Sequence, residues 1–402
     1  MRHFGAASAL IGALSFVLLT GCSAATGMGV DTPQQVPEHR EQQQAASVPP
    51  DPAETPAKPP EPQAPSEQQE QPDQAAENTE AEDLVVYKGP VEHIFFHPLI
   101  AYPELAFDGD AMAKGYDDWF VTVKEFERII QALYEHDYVL IDIHALYEEK
   151  MENGKKVIVP KELLLPRNKK PLILSIDDLN YYDYMLENGN VYRLILDDNG
   201  NVATYSKNPK GEEVISHDNE IIPLLDAFVG QHPDFSFHGA KGVIALTGYQ
   251  GVLGYRTNEL DSPGYESVKK QALQVIARLK ETGWTFASHG YGHLDAVRVS
   301  YDRLANDTQQ WKKEVEPLVG PTSVYIYPYG SRVETGSAKY NYLVKAGFPV
   351  LCSVGPAPYL KHTPDSVMMD RRHIDGISLK TQQDRLKPLF NAEEVIDSVR
   401  PR

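Results

Sequence analysis

From Leu84 onward, hydrophobic residues follow two alternating rhythms: short continuous apolar runs, and stretches in which apolar residues recur every three to four positions. Thr122-x-x-Glu125 is a capping-box pattern. Phe126, Ile129, Ile130, Leu133 and Tyr134 after it share one helical face, ahead of the strand-like YVLIDI. Ser262-Pro263 opens a second helix, with Val268, Ala272, Val275, Ile276 and Leu279 on its inner face and a stop at Gly283 before WTFAS. The unit recurs from Ser300 to Leu318, stopping at Gly320 before SVYIY, and from Ser337 to Ala346, stopping at Gly347 before FPVLCSV. With HIFFH, LILSI, VIALTG and VMM, about eight strands are predicted. Helix-then-strand repetition requires parallel strands joined by right-handed crossovers, so the expected fold is α/β, a barrel occupying residues 84–402. One interruption, residues 190–216, carries Asn199-Gly200 and Lys210-Gly211 and predicts a hairpin or two inserted on a barrel loop.

Composition changes the picture upstream. Residues 1–22 have a basic start, an apolar stretch too short to span a bilayer comfortably, and then Leu19-Thr20-Gly21-Cys22, which predicts a signal peptide. The last four residues look like a bacterial lipobox, which makes Cys22 the lipid-bearing first residue of an extracytoplasmic, membrane-anchored protein. An uncleaved apolar anchor is the other reading, and it too leaves the rest outside the cytoplasm. From Ser23 to Asp83 there is no Phe, Trp or Tyr, and Pro, Gln and Glu dominate, as expected of a disordered tether. This stretch has 13 acidic residues against Arg40 and Lys58, so it carries most of the net charge of −19. The remaining domain is still acidic and has no basic stripe, which argues against a nucleic-acid partner. Beyond Cys22 the only cysteine is Cys352, so no intramolecular disulfide is available, and this residue reads as a small buried hydrophobe. No internal repeat is visible, and a monomer is expected.

The candidate chemistry lies where strands end. LILSI runs into Asp177-Asp178, WTFAS into His289, SVYIY into Pro328-Tyr329, and VMM into Asp370-Arg371-Arg372-His373. In a parallel barrel these termini share the face on which active sites are built. Adjacent aspartates repel unless a proton or a cation neutralises one of them. One Asp with His289 and His293 is a ligand set suited to zinc or another first-row metal with positions left open, and the second Asp is then free as a base. Taken singly, an Asp-Asp pair is commonly a turn and two histidines four apart are commonly a solvated surface. Gly290 and Gly292 disfavour a helix there, by about 1 kcal/mol each, and suit a metal loop. Tyr181 in NYYDY and Tyr291 could stack on sugar rings or cover the barrel mouth. His97, at the end of HIFFH, either reaches the cleft floor or is satisfied within the core.

These motifs resemble those of the polysaccharide deacetylases of carbohydrate esterase family 4. Ser175-Ile176-Asp177-Asp178-Leu179 is similar to the family's Thr-Phe-Asp-Asp-Gly, His289-Gly290-Tyr291-Gly292-His293 to His-Ser/Thr-x-x-His, and Pro328-Tyr329-Gly330 to its Pro-Tyr motif. The likeness extends over approximately residues 90–380. It implies a distorted, TIM-like (β/α) barrel of about seven or eight strands and metal-assisted hydrolysis of an acetyl group. It also implies Asp178, His289 and His293 as ligands of a divalent metal, zinc first among the candidates, with Asp177 as general base. The Tyr329 backbone N–H is then an oxyanion donor, Pro328, Tyr329, Tyr291 and Tyr181 line the substrate site, and His373 is the general acid. Three departures stand out. Gly290 replaces a hydroxyl residue, Leu179 replaces a glycine, and Ile326 or Tyr325 stands where an arginine is usual. The last motif, MMDRRHIDG, fits least well: His373 could equally pack, with Arg371 or Arg372 facing the site. The expected activity is deacetylation of an N-acetylated glycan, peptidoglycan or poly-N-acetylglucosamine in type. A non-catalytic glycan-binding surface lipoprotein is the alternative.

Overall fold

The computed structural model describes residues 83–401. The signal peptide, the lipobox with Cys22 and the tether up to Glu82 therefore lie outside the described residues. Seven strands pair in parallel, in chain order: β1 (Glu92–Phe96), β2 (Lys170–Asp177), β3 (Gly242–Leu246), β4 (Trp284–Ser288), β5 (Val324–Ile326), β6 (Val350–Val354) and β7 (Val367–His373). β7 returns to β1 through Arg372↔Ile94 and His373↔Phe95, and the ring closes. The fold is thus a seven-stranded parallel (β/α) barrel.

The eighth predicted strand, Tyr138–Leu140, lies outside the ring for a geometric reason. It pairs with the start of β2, from Tyr138↔Lys170 to Leu140↔Leu172, whereas β3 pairs with the end of that strand, from Val243↔Ser175 to Ala245↔Asp177. A second short strand, Tyr359–His362, runs antiparallel to the start of β7, whose end belongs to β1. Both accessory strands cover edges that the closing ring leaves unpaired.

Alternation along the strands sorts the core into two layers. Ile173, Val243, Ala245, Ala287, Val324, Ile326, Val350, Cys352, Val367 and Met369 form one buried cluster, the barrel interior. Leu172, Leu174, Ile176, Ile244 and Leu246 face the other way, in a cluster shared with helix residues such as Ile129, Leu279, Leu304 and Trp311. Helices cover the ring at Val123–Glu135, Tyr265–Glu281, Tyr301–Glu314 and Ala338–Lys345. The first has the complete capping box: Glu125 N–H donates to Thr122 Oγ1, and Thr122 N–H donates to Glu125 Oε2. The second begins at Tyr265, after Gly264 rather than at Ser262-Pro263. The third ends before Val315, and Pro317 opens a separate turn, Glu316–Val319. Among the described residues no helix is long and apolar enough to cross a membrane.

Arg400 locks the start of the first helix. Its Nε and Nη2 donate to the two oxygens of Glu125, and Nη2 also donates to the Phe120 carbonyl. Nη1 donates to the carbonyl and carboxylate of Asp117. These contacts bracket Trp119, which stands beside the barrel mouth.

Between β2 and β3, Arg193–Leu196, Val202–Lys207 and Glu213–Ser216 form an antiparallel three-stranded sheet. Glu220 follows it, fully buried, and accepts from the Leu99 and Ile221 amides and from the Tyr181 hydroxyl. Burial pushes its carboxyl up to about 7 from 4.5, although these hydrogen bonds pull the other way. Between those two values the folded chain binds a proton that the unfolded chain has lost, so this group's contribution to stability falls as pH rises. Glu220→Gln, which keeps the shape without the charge, should flatten the fall in unfolding free energy between about pH 4.5 and 7. Above pH 7 it should add up to about 3 kcal/mol, read by urea denaturation. A variant whose pH dependence parallels the wild type would refute this assignment.

Candidate active site

The polar residues that end β2, β4 and β7 converge at the C-terminal mouth of the barrel. Asp177 continues the inward alternation of Ile173 and Ser175 and is buried. Arg371, inward on β7 after Val367 and Met369, meets it in a fork, with Nη1–Oδ1 2.6 Å and Nη2–Oδ2 2.9 Å. Ser175 Oγ and the Ser353 carbonyl accept further bonds from this guanidinium, which lies 4.1 Å over the Phe95 ring. Its neighbour Arg372 points outward and pairs with Glu92. The two adjacent arginines therefore serve opposite faces of one strand. Burial alone would raise the Asp177 carboxyl, but Arg371 and then His289 outweigh it and hold the group below the usual carboxylate range.

Asp178 turns out of the strand with φ +59° and leaves the alternation. Its Oδ1 accepts from the Tyr182 hydroxyl at 2.6 Å, and its Oδ2 lies 3.7 Å from His293 Nε2. His289 donates from Nδ1 to the Ile326 carbonyl, at 2.8 Å, which leaves the Nε2 lone pair facing the mouth. Ligand atoms of Asp178, His289 and His293 all lie within 4.8 Å of one another. A tetrahedral zinc with bonds of about 2.1 Å would hold its ligand atoms roughly 3.4 Å apart. The donor set, the fixed His289 tautomer and the support of Asp178 by Tyr182 fit such a cation.

The His289–His293 segment is gripped from one helix. Tyr291 N–H and Gly292 N–H donate to the two carboxylate oxygens of Asp307, at 2.8 and 2.7 Å. On the same face Trp311 Nε1 donates to the Leu246 carbonyl, and Glu314 accepts from the Tyr291 hydroxyl. Tyr291 is thus a strut against the helix rather than a cleft wall. Tyr181 is also displaced from its expected place: it is fully buried, with its hydroxyl on Glu220. The aromatic residues exposed near the mouth are instead Tyr329, Tyr184, Tyr249 and Trp119. Tyr329 stands edge-on to the His293 ring at 4.6 Å between centroids, and the adjoining Pro328 is buried.

His373 does not face the triad directly. It stacks on Phe95, donates from Nδ1 to Asp375 at 2.9 Å, and has its Nε2 3.1 Å from His97 Nδ1. The other nitrogen of His97 is the one that faces the triad, 4.0 Å from Asp178 Oδ2. Its Nδ1 also reaches the Trp119 carbonyl, at 3.2 Å. Burial, and then His373, pull the His97 imidazole down to about 4. Sequence reasoning missed Asp307 entirely. Its signal was present as a carboxylate interrupting the apolar stripe of Leu304, Thr308 and Trp311.

Comparison with known proteins gives a family match over part of the chain: residues 263–350 match the polysaccharide deacetylase family model. This segment contains His289, His293, Pro328 and Tyr329, and lacks Asp177, Asp178 and His373. No curated protein sequence matches the chain. Similar solved structures include a polysaccharide deacetylase from Bacillus cereus, at 14% identity over 75% of this chain and 69% of that one, with a TM-score of 0.42. A de-N-acetylase from Aggregatibacter actinomycetemcomitans is 12% identical over 75% of this chain and all of its own, also with a TM-score of 0.42. A Streptococcus pyogenes deacetylase in complex with acetate is 13% identical over 72% of this chain and 93% of its own, with a TM-score of 0.39.

Proposed function

We propose that this chain is a metal-dependent hydrolase that removes acetyl groups from an N-acetylated glycan at the cell surface, with peptidoglycan or poly-N-acetylglucosamine as the substrate type. The observation that carries this reading is the convergence of Asp178, His289 and His293 beside a second, ionised carboxylate, Asp177. The non-catalytic alternative gives that carboxylate no chemical role and leaves its buried pairing with Arg371 as structural only. A divalent cation bound there supplies Lewis acidity to an acyl oxygen and acidifies water. Asp177 takes the proton from the attacking water. Its depressed basicity is tolerable because water polarised in this way gives up a proton readily. The Tyr329 backbone N–H is the donor we assign to the developing oxyanion.

We assign the protonation of the leaving nitrogen to His97, whose Nε2 faces the triad, with His373 one hydrogen bond behind it. In the free site His97 is neutral. As negative charge builds on the acyl oxygen, His97 takes up a proton from solvent and passes it to the leaving nitrogen, while Asp375, acting through His373, supports the transient cation. His97→Ala should therefore lower kcat on an acetamido substrate by about 10²–10³-fold and spare hydrolysis of an aryl acetate, whose leaving group needs no proton. His373→Ala should cost less. Equal losses on both substrates in His97→Ala would exclude the acid role.

The central test combines metal analysis of protein purified without added metal with acetate release from chitooligosaccharides and from peptidoglycan. Bound metal with acetate release supports the proposal. Glycan binding without acetate release, at saturating zinc, would favour the non-catalytic alternative.

A further inference from the structure

We infer that Asp307 is a positioning residue for the metal loop, setting metal affinity from outside the ligand set. The inference rests on the metal-site reading above. Two loop residues sit in left-handed backbone conformations, Gly290 at φ +68° and His293 at φ +51°. For a non-glycine residue such as histidine this costs on the order of 1–2 kcal/mol, so the loop does not adopt this shape unaided. The Asp307 carboxylate offsets the cost by accepting the two consecutive amides of Tyr291 and Gly292, one on each oxygen. A charged acceptor for a backbone N–H is worth roughly twice a neutral one.

Among the described residues no other side chain supplies an acceptor to either amide, and the Tyr291 carbonyl is itself engaged by the Gly248 and Tyr249 amides. The peptide between His289 and His293 is therefore clamped from both sides, and His293 inherits its direction from that clamp. Position 290 is matched to it. A Cβ built on Gly290 would approach Asp307 Oδ2 to 2.9 Å, so a side chain there would force this carboxylate or the loop to shift. The missing hydroxyl at position 290 and the carboxylate at position 307 form one arrangement, in which the loop is held through its backbone.

The experiment compares wild type, Asp307→Asn and Gly290→Ala by chelator competition for Zn²⁺ and by amide hydrogen exchange. An asparagine can accept one of the two amides and opposes the other with its own N–H donors. Zinc affinity should fall by about 10–100-fold, the usual worth of an outer partner of a metal ligand. Exchange at Tyr291 and Gly292 should quicken while near-ultraviolet circular dichroism is kept. Activity lost at limiting zinc should return at saturating zinc, and because zinc also stabilises any folded barrel by mass action, the retained near-ultraviolet circular dichroism of the metal-free variant is what separates a loop defect from a destabilised barrel. Gly290→Ala, which crowds the carboxylate and is itself strained at φ +68°, should weaken zinc in the same direction. If Asp307→Asn does not fold, the exchange rates of the Tyr291 and Gly292 amides in Gly290→Ala read whether the clamp has opened. Wild-type zinc affinity and unchanged exchange in a folded variant would overturn the role of Asp307 and leave the deacetylase reading intact. A wild type that binds no zinc would overturn both.

Discussion

His289→Ala should abolish stoichiometric metal binding and acetate release together while leaving the barrel folded. The side chain is buried and does two things at once: Nδ1 donates to the Ile326 carbonyl, and Nε2 faces Asp178 and His293, the other two proposed ligands. Removing it takes one of three protein ligands, so metal affinity should fall by more than the 10–100-fold or so that an outer partner is worth. The structural cost is separate and smaller. It leaves one carbonyl unpaired and a small cavity at the mouth, together on the order of 1–3 kcal/mol. Metal content after dialysis, acetate release and the thermal midpoint read these effects apart. Full metal occupancy in the variant would remove His289 from the ligand set.

The second large effect separates the paired aspartates. Asp178→Asn should weaken metal binding, because an amide is a poorer ligand than a carboxylate and the Tyr182 hydroxyl no longer faces a charge. Asp177→Asn should keep the metal and lower kcat by about 10²–10⁴-fold, the usual worth of a positioned base. Arg371 would then lose its carboxylate partner inside the barrel. Breaking a buried pair on one side costs up to about 3–5 kcal/mol, so kcat must be referred to folded protein. The pH profile gives the mechanistic sign. A carboxylate base works in its ionised form, so activity should fall as pH drops through its pKa, and Arg371 places that limb below the ordinary carboxylate range. In Asp177→Asn the limb should vanish. Near-wild-type turnover at saturating metal would mean that another group activates water.

The barrel was legible in the sequence because helix-then-strand units recur through much of the domain and the ring strands carry short apolar runs. Ring closure was not, because which of two strands pairs with the end of β2 depends on register rather than on composition. At the site, the residues that end strands could be placed from sequence, since strand termini share a face whatever the details of the ring. Roles that depend on side-chain direction could not. Nothing local distinguishes Tyr181, which turns into the core, from Tyr182, which turns onto Asp178. Only the inward phase of β7 identifies Arg371 rather than Arg372 as the arginine that reaches Asp177.

Asp178, His293 and Tyr329 share a backbone property: all three have φ between +51° and +59°, and none is glycine. Tyr329 is in addition 71% exposed, so little packing holds it there. Each such residue costs the folded state on the order of 1 kcal/mol that a glycine would recover. The mouth of the barrel is thus a place where stability has been traded for placement of functional groups. A sequence selected for thermal robustness alone would drift toward glycine or asparagine at these three positions, and its rising melting temperature would accompany the loss of the groups proposed to do the chemistry.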